Sequence, residues 1–357
     1  MFSLLIFIIV LSIIILIHEL GHFTAAKKQG VRIEKFSLGF GPKIFSIKKN
    51  DTEYLISLFP LGGYVKLAGD NRSEIKGEPF EYFSKSCGSR AKIIFAGPFL
   101  NYCLAFLCFW LVFTIGFPSL TTKIGDVIKD YPASNAGIKK GDQIIEVGSK
   151  KVENWEQMQK AIQPSTGEID IKVKRNDKII NFLITPEIKE TKDLLGSKKN
   201  ISMIGIMPED EWIILKYNPV KSFFVAGSTL IDFTVLTYKS IWRMVIGRLS
   251  FKESVTGPLG IFYITKKAAS FGISALLHLM AVLNLSLAIF NLLPLPIFDG
   301  GHIVLLGLEK IRRRPLSEKA ENILNNIGLA MIIILAVFVF YNDLAKFGVF
   351  KNIKLFK

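Results

Sequence analysis

Four stretches of this chain are apolar for long enough to cross a bilayer, and the segments between them are polar. They run from about Met1 to Ala26, Ala91 to Phe117, Ile273 to Leu293 and Ile323 to Phe340. The segment from Phe36 to Leu67 alternates in places, carries turn signals at "KKND" and "PLGG", and predicts a β-hairpin or small sheet close to the membrane. Gly39, Gly41 and Pro42 mark a tight bend within it. From about Lys123 to Ile188, short strands surround "ASNAGIKKGD", a helix pattern begins near Trp155, and an alternating run follows from Glu168, which together predict a small β-rich domain. Between Trp212 and about Thr265, apolar residues mix with Lys216, Lys221, Lys239, Arg243, Arg248 and Lys252. Part of this region could nearly span, but Asp232 interrupts it, so the expectation is an amphipathic helix lying in the interface.

Composition and charge refine this pattern. Half of the 357 residues are apolar and 29 are Phe, as suits a membrane protein with an inserted polar region. The first apolar run lacks a basic n-region and exceeds the usual h-region of a signal peptide, so a retained helix is expected. The net charge of +15 comes from scattered lysines with no nucleic-acid-reading module. Positive residues at membrane ends report topology instead. Lys27, Lys28, Arg32 and Lys35 follow the first span, Arg90 and Lys92 precede the second, and "EKIRRR" follows the third. These flanks are expected to be cytoplasmic, with the long segment between spans two and three outside; the C-terminal "KNIKLFK" argues mildly the other way. Cys87, Cys103 and Cys108 show neither CxxC spacing nor a disulfide framework.

Against this background, "HELGH" at His18–His22 stands out, because ionisable groups inside a bilayer are costly and functional by default. Two histidines four apart share one helix face, a spacing that lets both imidazoles hold one Zn2+ while Glu19 serves as general base toward water. A catalytic tetrahedral zinc needs a third protein ligand. The other histidines are His278, near the outer end of span three, and His302. At the opposite end of that span, "NLLPLPIFDGGH" carries both Asp299 and His302. His18 lies roughly 25 Å of helix rise from Met1 on a span running inward. Asp299 follows a second span running inward, so the two reach similar depth. Asp299 is therefore the expected third ligand, with His302 in reserve; a fifth span would place Asp299 on the opposite side from His18.

Taken together, these residues resemble the site-2 protease family of intramembrane zinc metalloproteases, in its bacterial RseP type. "HELGH" matches the first motif of that family and "FDGG" at Phe298–Gly301 its LDG motif, with Phe298 in place of Leu. "AGPFLN" at Ala96–Asn101, "FSLGFGPKIF" and "EYLISLFPLGGYVKL" match further family segments. The resemblance implies His18, His22 and Asp299 as zinc ligands and Glu19 as catalytic base. It further implies substrate contacts from Asn291, Pro294 and Pro296, and from Gly39, Phe40 and Gly41 in a membrane-dipping hairpin that pairs with an unwound substrate strand. For Asn291 an interhelical hydrogen bond is an equal reading.

The region from Lys123 onward resembles a PDZ domain, with Ile124–Val127 expected at its groove. The expected fold class is an α-helical polytopic membrane protein of about four transmembrane helices, with a membrane-associated β-hairpin region and one inserted β-rich PDZ-like domain. The expected divisions are a membrane half over 1–117 (hairpin 36–67), the PDZ-like domain over 120–190, interfacial helices over 210–265 and a second membrane half over 270–357. The resemblance implies regulated intramembrane proteolysis with a Zn2+ cofactor: cleavage of a transmembrane substrate protein, possibly already cut once, such as an anti-sigma factor or signal-peptide remnant. A multi-pass protein of the bacterial inner membrane is implied, its active site toward the cytoplasm and its PDZ-like domain outside, with the lipid bilayer and no nucleic acid as partners. Two other functions compete: a noncatalytic membrane PDZ scaffold, and a metal transporter, for which spans two and four offer few polar residues.

Overall fold

In lipid, the backbone of an apolar run has only its own hydrogen bonds to use. Phe2–Lys28 accordingly forms one helix, α1. It buries Phe7, Val10, Ile14, His18 and Gly21, a single stripe at helical spacing, and exposes Phe2, Leu4, Leu5, Ile9 and Ile13. The computed structural model describes residues 2–192 and 198–347, so the "KNIKLFK" segment lies outside the described residues. The chain packs as two units: Met1–Val112, Pro219–Tyr238 and Ser250–Lys357 form one, and Phe113–Asn218 with Lys239–Leu249 the other.

In the first unit α1 is followed by two long antiparallel strands, β1 (Ile33–Lys49) and β2 (Thr52–Leu67). Leu38 faces Gly63 and Lys49 faces Thr52, while Ser37 faces both Tyr64 and Leu55, so the hairpin folds over on itself through bulges. Gly39 and Gly41, at φ of 92° and 89°, supply the bend. Helix α2 (Cys87–Ile115) then runs antiparallel to α1. Ala26, Val31, Ile33, Leu67 and Ile93 form one buried cluster that ties α1, β1, β2 and α2 together.

The second unit is β-rich. Its elements are β3 (Phe117–Leu120), β4 (Ile124–Val127), α3 (Pro132–Asn135), β5 (Gln143–Val147), β6 (Lys150–Lys151), α4 (Trp155–Ile162), β7 (Ile169–Arg175), β8 (Lys178–Ile184), β9 (Glu187–Lys192), β10 (Lys198–Met203), β11 (Ile206–Pro208) and β12 (Trp212–Leu215). A four-stranded sheet has the order β6-β5-β7-β8, and β11 pairs with β4, β12 with β3 and β10 with β9. Asn154 caps α4 by accepting from Gln157 N at 2.8 Å. The core gathers Ile124, Ile144, Ile171, Val173 and Ile204 around Trp155 and Met158. A groove of about 80 Å³ lies between α4 and Ile201–Ile206. Ile124–Val127 does not line it: this run is β4, paired with β11 in a two-stranded sheet of its own.

The chain returns to the first unit through α5 (Pro219–Val245), α6 (Phe251–Ser254), α7 (Pro258–Ser270), α8 (Ile273–Asn291), α9 (Asp299–Arg312) and α10 (Glu318–Lys346). Among the described residues, five helices are long and apolar enough to cross a membrane: α1, α2, α5, α8 and most of α10. The extra one beyond the four apolar stretches is α5. Asp232 does not break it, because one Asp in a helix interior costs only about 0.7 kcal/mol or less.

Contacts fix the helix directions. The Phe109 ring lies 5.5 Å from that of His278, near the start of α8, and Asn291 at its end meets His18. Helix α8 therefore runs parallel to α1 and antiparallel to α2. Trp110 donates to Pro219 O at 2.9 Å, and Phe262 on α7 packs on Phe7 with ring centroids 5.6 Å apart.

Candidate metal centre

Helix α1 presents His18 and His22 one turn apart on the face turned to α2. Close approach of the two helices depends on glycine. A Cβ at Gly21 would lie 2.2 Å from Ala96 O, and one at Gly97 would lie 2.4 Å from His22 Nε2. Backbone therefore passes directly beneath the imidazoles.

Asp299 arrives from the other half of the chain. Pro294 and Pro296 cannot donate backbone hydrogen bonds, and α8 ends at Asn291. The chain then turns sharply: Leu295 N reaches Leu293 O at 2.8 Å, and Ile297 takes a positive φ of 76°. Helix α9 begins at Asp299, and Cβ atoms at Gly300 and Gly301 would lie 2.3 Å from Leu292 O and 2.1 Å from Leu295 O. Only glycine lets the helix start nest against that turn. On the turn's other side, a Cβ at Gly328 of α10 would lie 2.9 Å from Pro296 O.

The result is a cluster of three ligand-type atoms. His18 Nε2 and His22 Nε2 are 3.2 Å apart, and Asp299 Oδ2 lies 3.3 Å from the first and 3.6 Å from the second. Among the described residues, His18, His22 and Asp299 form a group able to hold a metal ion. The fit is quantitative: a tetrahedron with zinc-ligand arms of about 2.0–2.1 Å has edges of about 3.3–3.4 Å. It is also electrostatic, since Asp299 Oδ2 is buried and has no hydrogen-bond donor. A buried carboxylate oxygen facing two imidazole nitrogens is costly unless a cation joins them.

The outer contacts agree. His22 Nδ1 lies 2.9 Å from Ile93 O, which fixes that nitrogen as the N–H and leaves Nε2 free to ligate. His18 Nδ1 faces the fully buried amide of Asn101 at 3.3 Å, whose Oδ1 has no donor. With the amide turned over, Oδ1 accepts from His18 Nδ1–H. Asn291 Nδ2 lies 3.4 Å from His18 Nε2.

Glu19 lines a cavity of about 290 Å³ with His22, Asp299, Val65, Leu67 and Ile93. A Cβ at Gly63 would lie 3.1 Å from Glu19 Cγ, so β2 crosses directly over this carboxylate. Phe40 stacks on Tyr64 at 6.1 Å beside that crossing, and Gly39 and Gly41 form the bend that carries Phe40 there. His302 lines the cavity but stands outside the three-residue group. His278 packs between Phe109 and Phe233 at the far end of α8. Gly63, Gly97 and Asn101 fall inside the family-matching segments "EYLISLFPLGGYVKL" and "AGPFLN", but sequence alone assigns none of them a role at the site.

A helical His-Glu-x-x-His face, a remote carboxylate and apolar helices around them define a membrane metalloprotease. Comparison with known proteins agrees, and the chain belongs to Peptidase family M50, whose sequence pattern matches residues 6–335. It is similar to a relative from Campylobacter jejuni at 32% identity over 95% of this chain and 92% of that protein. A relative from Rickettsia conorii is 34% identical over 96% of this chain and 99% of its own length. Zinc metalloprotease RasP of Oceanobacillus iheyensis is 28% identical, covering 95% of this chain and 98% of that one.

Proposed function

We propose that this membrane metalloprotease is an intramembrane zinc endopeptidase that hydrolyses peptide bonds within or near transmembrane helices of its substrates. His18, His22 and Asp299 hold the metal and Glu19 is the general base. The convergence of three ligand atoms 3.2–3.6 Å from one another, one of them a buried oxygen with no donor, carries this reading. Zinc, when bound, supplies a Lewis acid and makes water a usable nucleophile near neutral pH. Glu19 would take a proton from the attacking water and deliver it to the leaving amine. Ile93 O and Asn101 hold the imidazoles in the tautomer that ligates.

A helical peptide bond is shielded by its own hydrogen bonds and must be unwound before attack. The closeness of β2 to Glu19 at Gly63 supports pairing of the 62–67 run with an unwound segment by strand addition. Gly39, Phe40 and Gly41 shape the approach to it. Asn291, beside His18, and the Pro294–Pro296 turn that follows it complete the substrate contacts.

We read four of the five apolar helices as crossing. Both flanks of the α5–α6 segment pack at the end of the bundle marked by Trp110 and Phe7, which supports an interfacial course for α5. Basic flanks at Lys27, Lys28, Arg90 and Lys92 support a metal end toward the cytoplasm of a bacterial inner membrane and a β-rich unit outside. The groove between α4 and Ile201–Ile206 supports a PDZ-like reading of that unit.

The test uses purified full-length protein in liposomes with a single-span substrate. Glu19→Gln should keep its zinc and lose about 10²–10⁴-fold in cleavage rate. His22→Ala should lose the zinc. Full activity in Glu19→Gln, or wild-type zinc content in His22→Ala, would remove the mechanism.

A further inference from the structure

The cavity that begins at Glu19 and Asp299 also reaches an ion pair that the chemistry above does not use. Arg90, in the first turn of α2, is 4% exposed, and its Nη2 meets Glu309 Oε1 on α9. Cys87 Sγ lies 3.6 Å from the same oxygen, and the rings of Phe83 and Tyr82 lie 5.4 and 5.9 Å from Arg90 Cζ. The Nε of Arg90 is buried without a partner, so the guanidinium is held chiefly by Glu309 and the rings.

Such a pair is a poor device for stability alone. Taking two charges out of water costs about as much as their attraction returns, and an apolar pair of the same volume often does as well. What an ion pair adds is a defined distance and direction between two backbones. The two helices joined here are those whose relation the metal centre requires. Helix α2 orients both imidazoles through Ile93 O and Asn101. Helix α9 starts at Asp299 and buries only Gly300, Gly301 and Leu306. Its first turn is one anchor, and Glu309, about 15 Å further along the helix, is the other.

We propose that Arg90 and Glu309 form a latch that positions Asp299 against His18 and His22, so that these two residues tune metal affinity and turnover without touching metal or substrate. This rests on reading those three residues as the metal ligands. Full-length protein in detergent would be titrated with zinc against a chromogenic chelator, and kcat and KM measured on a single-span substrate. Glu309→Asp keeps the charge and shortens the reach. It should weaken zinc binding by about tenfold or more and lower kcat, with KM unchanged within about twofold. Reversing the pair, Arg90→Glu with Glu309→Arg, should recover most of the lost affinity. Wild-type zinc affinity in both Glu309→Asp and Glu309→Gln would overturn the proposal. So would wild-type affinity and kcat in the apolar double variant Arg90→Met with Glu309→Met, which also covers the case in which the single variants fail to fold. His22→Ala is the control: if it binds zinc as the wild type does, the ligand assignment itself fails, whatever the latch variants show.

Discussion

The two units bury a carboxylate in opposite ways. In the β-rich unit, Asp142 is 1% exposed and saturated: Arg175 donates to both of its oxygens at 2.6 and 2.7 Å, and Lys139 N donates at 2.8 Å. Arg175 also reaches Gly137 O at 2.8 Å, so the pair staples the 137–142 turn to β7. In the membrane unit, one oxygen of Asp299 faces two imidazole nitrogens and accepts nothing. A satisfied buried charge holds a fold together, whereas an unsatisfied one marks a place for a ligand.

The sharpest way to break this comparison is to remove each carboxylate. Asp299→Ala should cost at least about 100-fold in zinc affinity, read by chelator competition, and cleavage with it. The melting temperature of the metal-free protein should not fall, because no hydrogen bond is lost. Asp142→Ala should destabilise the β-rich unit by about 3 kcal/mol, seen as faster hydrogen exchange in residues 137–142 of the full chain.

The pH dependence of Asp142 refines the second case. Burial alone would push its carboxyl up, but the Arg175 guanidinium and the Lys139 amide outweigh burial and hold it below the ordinary carboxylate value. A lowered folded value means that its contribution is present above the unfolded value of about 3.9 and is lost as pH falls through the folded one. The exchange difference between wild type and Asp142→Asn should therefore persist at pH 6, begin to shrink below about pH 4, and close only as pH falls past the lowered folded value.

Gly97→Ala probes the floor of the metal centre, where a methyl would meet His22 Nε2 at 2.4 Å. About a tenfold loss of zinc affinity with normal expression is expected, and unchanged affinity would show that the floor can yield. The smallest effect belongs to Lys160→Ala, whose i,i+4 partner Glu156 is equally exposed. No measurable change in melting is expected there.

Much of the centre was legible in the sequence because its parts are local. His18, Glu19 and His22 lie within five residues, and an apolar context makes such groups conspicuous. Asp299 was reachable by counting depth along two spans. The segments around them match the family, but the roles of Gly63, Gly97 and Asn101 were not legible, because they come from packing between elements far apart in the chain. The reach of the β-rich unit was hidden for the same reason. Its strands β11 and β12 are three and four residues long and pair with β4 and β3 across roughly eighty to one hundred positions. Helix α5 posed a different problem: its length and apolarity suffice for a crossing, and the pattern of residues alone does not set its course.

The shared direction of α1 and α8 has a consequence of parity. Two helices that enter lipid the same way must be separated by an odd number of crossings. Gaining or losing one crossing anywhere between Lys28 and Ile273 would invert α8 and strand Asp299 on the wrong leaflet, however well each half folded. Crossings can be added there only in pairs, and domains of any size can be inserted freely provided they begin and end on one side.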